Sequence, residues 1–309
     1  MRIAYYAHFD APSDCENWIA NAFMRAGVLL WRWQRKQGEQ FSDFEDFIVF
    51  VEQNKIDVCL FSKAPEISNS MMAKLKSRTG VRIIWWTFDY MLNPNVSGWY
   101  IPLAKLAHAC YQTDGIDENK EYDRLGVNRY ELHQGIDPSI HYECNEKINS
   151  FAKDVYSADV AFFGSLYTPE RRELHDLLKS KYGSRYKQWG GKGFEQGLWN
   201  AEFRKAVKLS KVIIGDNFTN EVAGYWSDRV YLTLGCKGFF ITHYVKGLEK
   251  VFNIGEELDT WNNKTELIEK IDFYLKAEKL RDQIAYNGYS VVQEKHTYDN
   301  RIKFILETI

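Results

Sequence analysis

Short apolar runs of strand length alternate with amphipathic stretches of helix length through the first 133 residues. This alternation constrains the fold more than any other feature of the chain. Strands are predicted over 3–9, 28–33, 56–62, 81–87, 110–113 and 130–133. Between them, helical spacing predicts helices over 14–26, 44–51, 70–77, 101–109 and 118–125. Trp18, Ile19, Ala22 and Phe23 mark the first of these, and Gly27 closes it. The run Val58-Cys59-Leu60-Phe61 shows no polar alternation, as in a strand covered on both faces. Such alternation implies an α/β fold, a parallel sheet with helices packed on both sides.

Asp137-Pro138 halts the pattern, and the polar stretch 143–153 reads as a linker. A second series then begins with a strand over 159–163, the turn Gly164-Ser165 and a helix over 169–182. Pro169 suits the first helical position there, and Glu170 and Glu173 lie where the helix dipole favours acids. A strand over 211–214, a helix over 228–234, a strand over 238–242 and a helix over 265–275 continue the series, and a last helix covers 298–309. With 309 residues the chain is long enough for two doubly wound, Rossmann-like domains, expected over 1–145 and 155–297.

Composition narrows the function. A net charge of −2 argues against a general polyanion-binding surface. The five cysteines, at 15, 59, 110, 144 and 236, have no zinc-like or redox spacing and read as thiols of a reducing compartment. His8 and Asp10 interrupt the first apolar stretch too early for a secretory signal, and no apolar run approaches the ~20 residues of a membrane span, so a cytoplasmic location is expected. Aromatic residues make up 16% of the chain; large rings fill cores, and some can line a cleft that stacks sugars or bases.

The stretch 226–249 carries the chemistry. A helix starts at Asp228-Arg229, stops at Gly235, and is followed by a strand and by a loop presenting Gly247 and Glu249. A helix N-terminus with an arginine on its first turn suits a diphosphate, and open α/β sheets bind ligands beyond the carboxyl ends of their strands. Arg229-Val230-Tyr231, Gly235-Cys236-Lys237-Gly238, Phe239-Phe240-Ile241-Thr242, Gly247-Leu248-Glu249 and His296-Thr297-Tyr298 occur in a shared order and spacing. That set resembles the donor-binding half of GT-B glycosyltransferases, in particular the group 1 glycosyl transferases that include the CgeB spore-maturation proteins.

The resemblance implies two domains facing a cleft, with the last helix crossing back to the first. It also implies a nucleoside-diphosphate sugar as co-substrate, UDP favoured, with no resident cofactor and no metal. On it, Gly164, Ser165, Arg171, Asp216, Asn217, Asp228, Arg229, Lys237, Gly247 and Glu249 are the donor-binding candidates. Arg229 would grip the diphosphate through its forked donors. Gly164 would let the backbone approach, and Lys237, Gly247 and Glu249 would frame the sugar. Trp189-Gly190-Gly191-Lys192-Gly193-Phe194 offers glycines and rings for a base. Many retaining relatives carry a glutamate against the ribose and another eight positions earlier near the sugar; here those positions are Leu232 and Gly224. The ribose contact then falls to Asp228 or Glu221, and retention or inversion stays open.

An inverting transferase needs a base for the acceptor hydroxyl. Candidates at first-domain strand ends are His8, Asp10, Asp89, Asp114 and His133. The acceptor is left open between glycan, protein, lipid and a modified nucleic-acid base. Trp31-Arg32-Trp33-Gln34-Arg35-Lys36 is basic and aromatic, suiting a phosphate-bearing acceptor or equally a strand with a polar exit. Two other readings compete: a nucleotide-sugar epimerase or hydrolase, recognised by turnover without acceptor, and a non-catalytic nucleotide-sugar-binding protein.

Overall fold

The computed structural model describes residues 1–11, 14–35, 42–113, 115, 120–190 and 198–309. They form two compact units, one of Met1–Gln134 with Tyr298–Ile309 and one of Gly135–Thr297.

The first unit holds a six-stranded parallel sheet of β1 (Arg2–Ala7), β2 (Leu29–Gln34), β3 (Val58–Phe61), β4 (Arg82–Thr87), β5 (Ala109–Gln112) and β6 (Arg129–Glu131). Its spatial order is β2-β1-β3-β4-β5-β6, so the strand order reverses between β1 and β3. Crossovers are α1 (Cys15–Arg25), α2 (Ser42–Gln53), α3 (Asn69–Thr79), α4 (Pro94–Ala104) and α5 (Glu121–Leu125). The uninterrupted apolar run of β3 is wholly buried, as its lack of alternation requires. Helix α4 starts seven residues before the predicted 101. The Asn93 side chain accepts from the Asn95 amide at 3.0 Å and Pro94 takes the first position, a start signal that outweighs Pro102 inside the helix.

The second unit begins with α6 (Ser150–Tyr156), where a linker was predicted. The Asn149 side chain caps it through the Ala152 amide at 2.8 Å, and Ala152 and Tyr156 join a core with Ile136. Its charged outer face hid that amphipathic helix. The five-stranded parallel sheet contains β7 (Ala158–Phe163), β8 (Tyr186–Trp189), β9 (Ser210–Gly215), β10 (Phe240–His243) and β11 (Asp259–Trp261) in the order β11-β10-β9-β7-β8. Helices α7 (Pro169–Tyr182) and α10 (Lys264–Lys276) cover one face through Leu174, Leu178, Leu267 and Ile271. Helix α9 (Arg229–Gly235) and helix α8 (Asn200–Lys208) contribute to the other core, with α11 (Glu278–Lys295). The strands β8 and β11 and the helices α8 and α11 were not predicted from the sequence. Helix α12 (Tyr298–Thr308) groups with the first unit, where Arg25 and Asp299 pair at 2.7 Å. No helix among the described residues is long and apolar enough to cross a membrane.

Candidate functional site

In the second sheet the order reverses between β7 and β9, and a doubly wound sheet binds ligands at the carboxyl ends of the strands flanking such a reversal. Gly164 follows β7 and Asp216 follows β9. A methyl built on Gly164 would lie 3.2 Å from Nη1 of Arg229 and 3.3 Å from the Phe162 ring, so glycine is what lets the arginine lie against this backbone. The Gly164 amide donates to the Trp189 carbonyl at 2.7 Å, and a methyl on Gly190 would lie 3.3 Å from the Gly164 carbonyl carbon. The ends of β7 and β8 are thus pressed together.

Two arginines meet at Asp216. Arg171, in the first turn of α7, is buried. It donates from Nη2 to the Asp216 carbonyl at 2.8 Å, from Nη1 to the Ser165 carbonyl at 3.3 Å, and from Nε to the Asp216 carboxylate at 3.4 Å. Arg229, the first residue of α9, donates from Nη2 to the same Asp216 carbonyl at 2.8 Å. Its Nε is buried without a hydrogen-bond partner among the described residues. Both guanidinium groups lie over the Phe162 ring, at 5.9 and 5.8 Å. Burial, and then the neighbouring Arg171 charge, lower the pKa of Arg229. Two cations therefore share one carbonyl and one nearby carboxylate, an arrangement that an anion relieves.

Asparagines hold this geometry. Asn217 accepts from the Ser227 amide at 2.8 Å and donates to Asn220 at 2.9 Å, while Asn220 donates to the Asp216 carboxylate at 2.9 Å. These bonds tie the loop after β9 to the start of α9. Asp228 precedes Arg229 and accepts from the Ser227 hydroxyl at 3.0 Å. Beside Asp216 opens a cleft of about 830 Å³, with Asn217, Phe218, His243 and Trp261 in its lining. Tyr167 and Phe218 stack at 6.0 Å and are both half exposed. Sequence reasoning missed Asn220, His243, Trp261 and this ring pair. The one available signal was that Phe218 and Asn220 follow Asp216-Asn217 directly at a strand end.

Residues 168–307 match a family model described as glycosyl transferase-like. Among curated proteins none matches the chain in sequence. The structure is similar to Anabaena HepE in complex with UDP-glucose, with a TM-score of 0.69 at 10% identity, covering 100% of both chains. It is similar to sucrose-phosphate synthase from Thermosynechococcus elongatus, with a TM-score of 0.68 at 10% identity, over 99% of this chain and 98% of that one. An α1,3-fucosyltransferase aligns with a TM-score of 0.60 at 11% identity, over 100% of this chain and 89% of that one. The chain has the GT-B glycosyltransferase fold.

In this GT-B chain, Gly164, Ser165, Arg171, Asp216, Asn217, Asp228 and Arg229 come together at the carboxyl ends of β7 and β9. Gly247 follows β10 on the same side of the sheet, with φ of 103°, and its amide donates to Glu249 at 2.8 Å. Glu249 also accepts from the Tyr244 hydroxyl at 3.1 Å. Its own backbone amide, and then that of Gly247, hold its carboxyl below the usual range, so it braces its loop. Lys237 is not brought to the site. It sits between the carboxyl end of α9 and the amino end of β10, at the opposite edge of the sheet, and pairs with Glu143 at 3.1 Å. Leu232 packs against the second unit's core, and Gly224 is a buried turn with φ of 76°.

The first-unit candidates are scattered among other partners. His8 and Asp10 lie 3.6 Å apart, and Asp10 is largely exposed. Asp89 is exposed and paired with Lys63 at 2.5 Å. His133 contacts Glu131 at 3.2 Å, and burial lowers its pKa. Asp114, Lys36 and the glycine-rich stretch 191–194 lie outside the described residues; Trp189, just before that stretch, stacks on Phe163 at 5.2 Å. Trp31 and Trp33 pack on Phe50 at 6.2 and 5.2 Å, Arg32 bonds Asn21 at 2.6 Å, and buried Arg35 pairs with Glu66 at 2.8 Å. That cluster is a strand with its partners rather than a free basic patch.

Proposed function

We propose that this protein transfers a sugar from a nucleoside-diphosphate donor, UDP-linked, to an acceptor hydroxyl. The observation that carries the reading is the convergence of Arg229 and Arg171 on the Asp216 carbonyl, at the order reversal of the second sheet, beside the close-packed glycine Gly164. The match of residues 168–307 to a glycosyl transferase-like family supports it, as does the likeness to a protein whose structure contains UDP-glucose. Helix α9 has only seven residues, so its dipole adds little and the diphosphate charge falls to the arginine side chains. Arg229 holds the leaving diphosphate and offsets the charge that develops as the sugar bond breaks, without a divalent ion. Asp228 supplies a hydroxyl acceptor near the ribose in place of the absent glutamate. The test is calorimetric titration with UDP, followed by assays of UDP release from a panel of UDP-sugars in excess EDTA. Binding with metal-independent turnover is expected. Absence of UDP binding refutes the reading, and activity lost to EDTA and restored by magnesium or manganese refutes its leaving-group chemistry.

A further inference from the structure

The cleft beside Asp216 lies within the second unit, between the first turns of α7 and α10 and the carboxyl ends of β9, β10 and β11. Arg229, Arg171 and Gly164 take no part in its lining, so it is a separate space from the arginine pair. Its groups also differ in kind, because it presents acceptors where the arginines present positive charge. Glu170, on the first turn of α7, and Glu221, on the loop after β9, have no ion-pair or hydrogen-bond partner for their carboxylates among the described residues. The one lysine of the lining, Lys264, is paired with Glu173 at 2.6 Å. His243 holds Nδ1 2.9 Å from the Tyr244 carbonyl oxygen, which requires the proton on that nitrogen and makes Nε2 of the neutral ring an acceptor. Asn262 donates from its amide nitrogen to Glu266 at 3.0 Å and keeps its side-chain oxygen as a further acceptor. Phe218, also in the lining, is 48% exposed and stacks at 6.0 Å on Tyr167, and the Arg171 guanidinium lies 4.8 Å from the Tyr167 ring. A large ring held in place and open to solvent beside a polar cleft is a stacking platform.

We propose that this cleft binds a neutral saccharide, at a site separate from that of the nucleotide-sugar donor. Its ligand has to bring several hydrogen-bond donors and no negative charge, because acceptors dominate the lining and its one lysine is already paired. A phosphate or a uronic acid would set its own charge against Glu170 and Glu221. The uracil of a nucleotide stacks on a ring but has a single N–H to donate. A pyranose donates from each of its hydroxyls and lays its C–H face on an aromatic ring, so it suits both the acceptors and the Phe218 platform. At about 830 Å³ the cleft is in the upper part of the ~300–1,000 Å³ range of small-molecule sites, with room for more than one sugar residue. Binding of a saccharide here stands on the geometry of the cleft itself. Its use, as an anchor for the glycan chain on which the enzyme works, rests on the glycosyltransferase reading above.

The experiment titrates the full chain with maltose, cellobiose, lactose and glucuronate, read by NMR shifts and saturation transfer, first alone and then with saturating UDP or UDP-glucose. At least one neutral disaccharide should bind saturably, with the same Kd whether or not the nucleotide is present, and glucuronate should not bind. Glu221→Gln should weaken that binding ~10-fold or more, the scale of a lost hydrogen bond to a charged group. Phe218→Ala should weaken it ~3-fold or more through the lost ring face. Both positions are exposed, and Glu170→Gln on α7 supplies a second carboxylate variant should either of these fail to fold. The proposal is overturned if no neutral disaccharide binds, if glucuronate binds equally well, or if the carboxylate variants bind as the parent does. Displacement of the disaccharide by UDP or UDP-glucose also overturns it, since the cleft would then belong to the donor. A parent that binds the disaccharide but not UDP removes the glycosyltransferase reading alone, so the two failures are told apart.

Discussion

Replacing Arg229 with alanine tests the donor site most directly. Of the guanidinium's donors, Nη2 is committed to the Asp216 carbonyl, while Nη1 lies against Gly164 and Nε has no partner among the described residues. Of these, Nη1 is the nitrogen a diphosphate can reach, because Nε is buried. A hydrogen bond to a charged group contributes about 1.5–3 kcal/mol, which corresponds to roughly 10–150-fold in Kd. Arg171 cannot take over, because its Nε, Nη1 and Nη2 are all engaged with Ser165 and Asp216. The prediction is therefore a loss of UDP affinity in that range by isothermal calorimetry. Arg229→Lys should fall between the two, since it keeps the charge and loses the fork. The apo protein should not lose stability in proportion, because the substitution removes a partly buried charge beside Arg171. An unchanged Kd for Arg229→Ala would refute the argument. A collapse of the folded state would show instead that the arginine serves the fold.

Two further outcomes follow from packing and from titration. A methyl on Gly215 would lie 2.3 Å from Cζ of Phe240 and 2.8 Å from Oγ1 of Thr242, so Gly215→Ala should cost about 1–3 kcal/mol by overpacking, whereas Gly98→Ala, with nothing within 4 Å, should not lower the midpoint of thermal unfolding. Burial lowers the pKa of His141 from 6.5 to about 4, so the unfolded chain takes up its proton first as pH falls. Stability present above pH 6.5 is then lost down to about pH 4, roughly 3 kcal/mol in all, and denaturant titrations at pH 7 and pH 4 should show a smaller loss in His141→Asn.

The alternating pattern was legible because buried parallel strands are apolar throughout and their crossover helices carry a one-sided stripe. Helix α7 appears over the predicted residues because Pro169 marks its start and Thr168 caps it through the Arg171 amide at 3.2 Å. Strand β8 was missed because Tyr186-Lys187-Gln188-Trp189 sets two adjacent polar residues between aromatics and so shows neither an apolar run nor a period of two, and β11 because its three residues are too short to show a period. Helix α11 was missed because its apolar residues are spaced among many charges. Arg229 and Gly164, which the structure brings together, were legible as candidates because each stands at an element boundary that the sequence marks. Lys237 was misplaced because motif order along the chain does not say which end of a strand a turn occupies.

The centre of the candidate site is then neither a helix terminus nor a carboxylate pair but the backbone carbonyl of Asp216. Its side chain is held by Asn220 and approached by Arg171, its carbonyl takes both arginines, and Asn217 beside it fixes the start of α9. Such a hub neutralises the charge only in part, because the carbonyl carries no net charge and the one Asp216 carboxylate faces two guanidinium groups. A glutamate at Leu232 would add a further carboxylate on α9, one turn beyond Asp228. With leucine there, packed against the core, the helix offers Asp228 alone, at its very start and next to Arg229. The acid that remains at the start of α9 thus stands beside Arg229, the residue proposed to grip the diphosphate. On the proposed function, recognition of the donor's phosphates and of its neighbouring hydroxyls would fall within one turn of the chain, and the loop after β9 would hold that grip through its asparagine bonds.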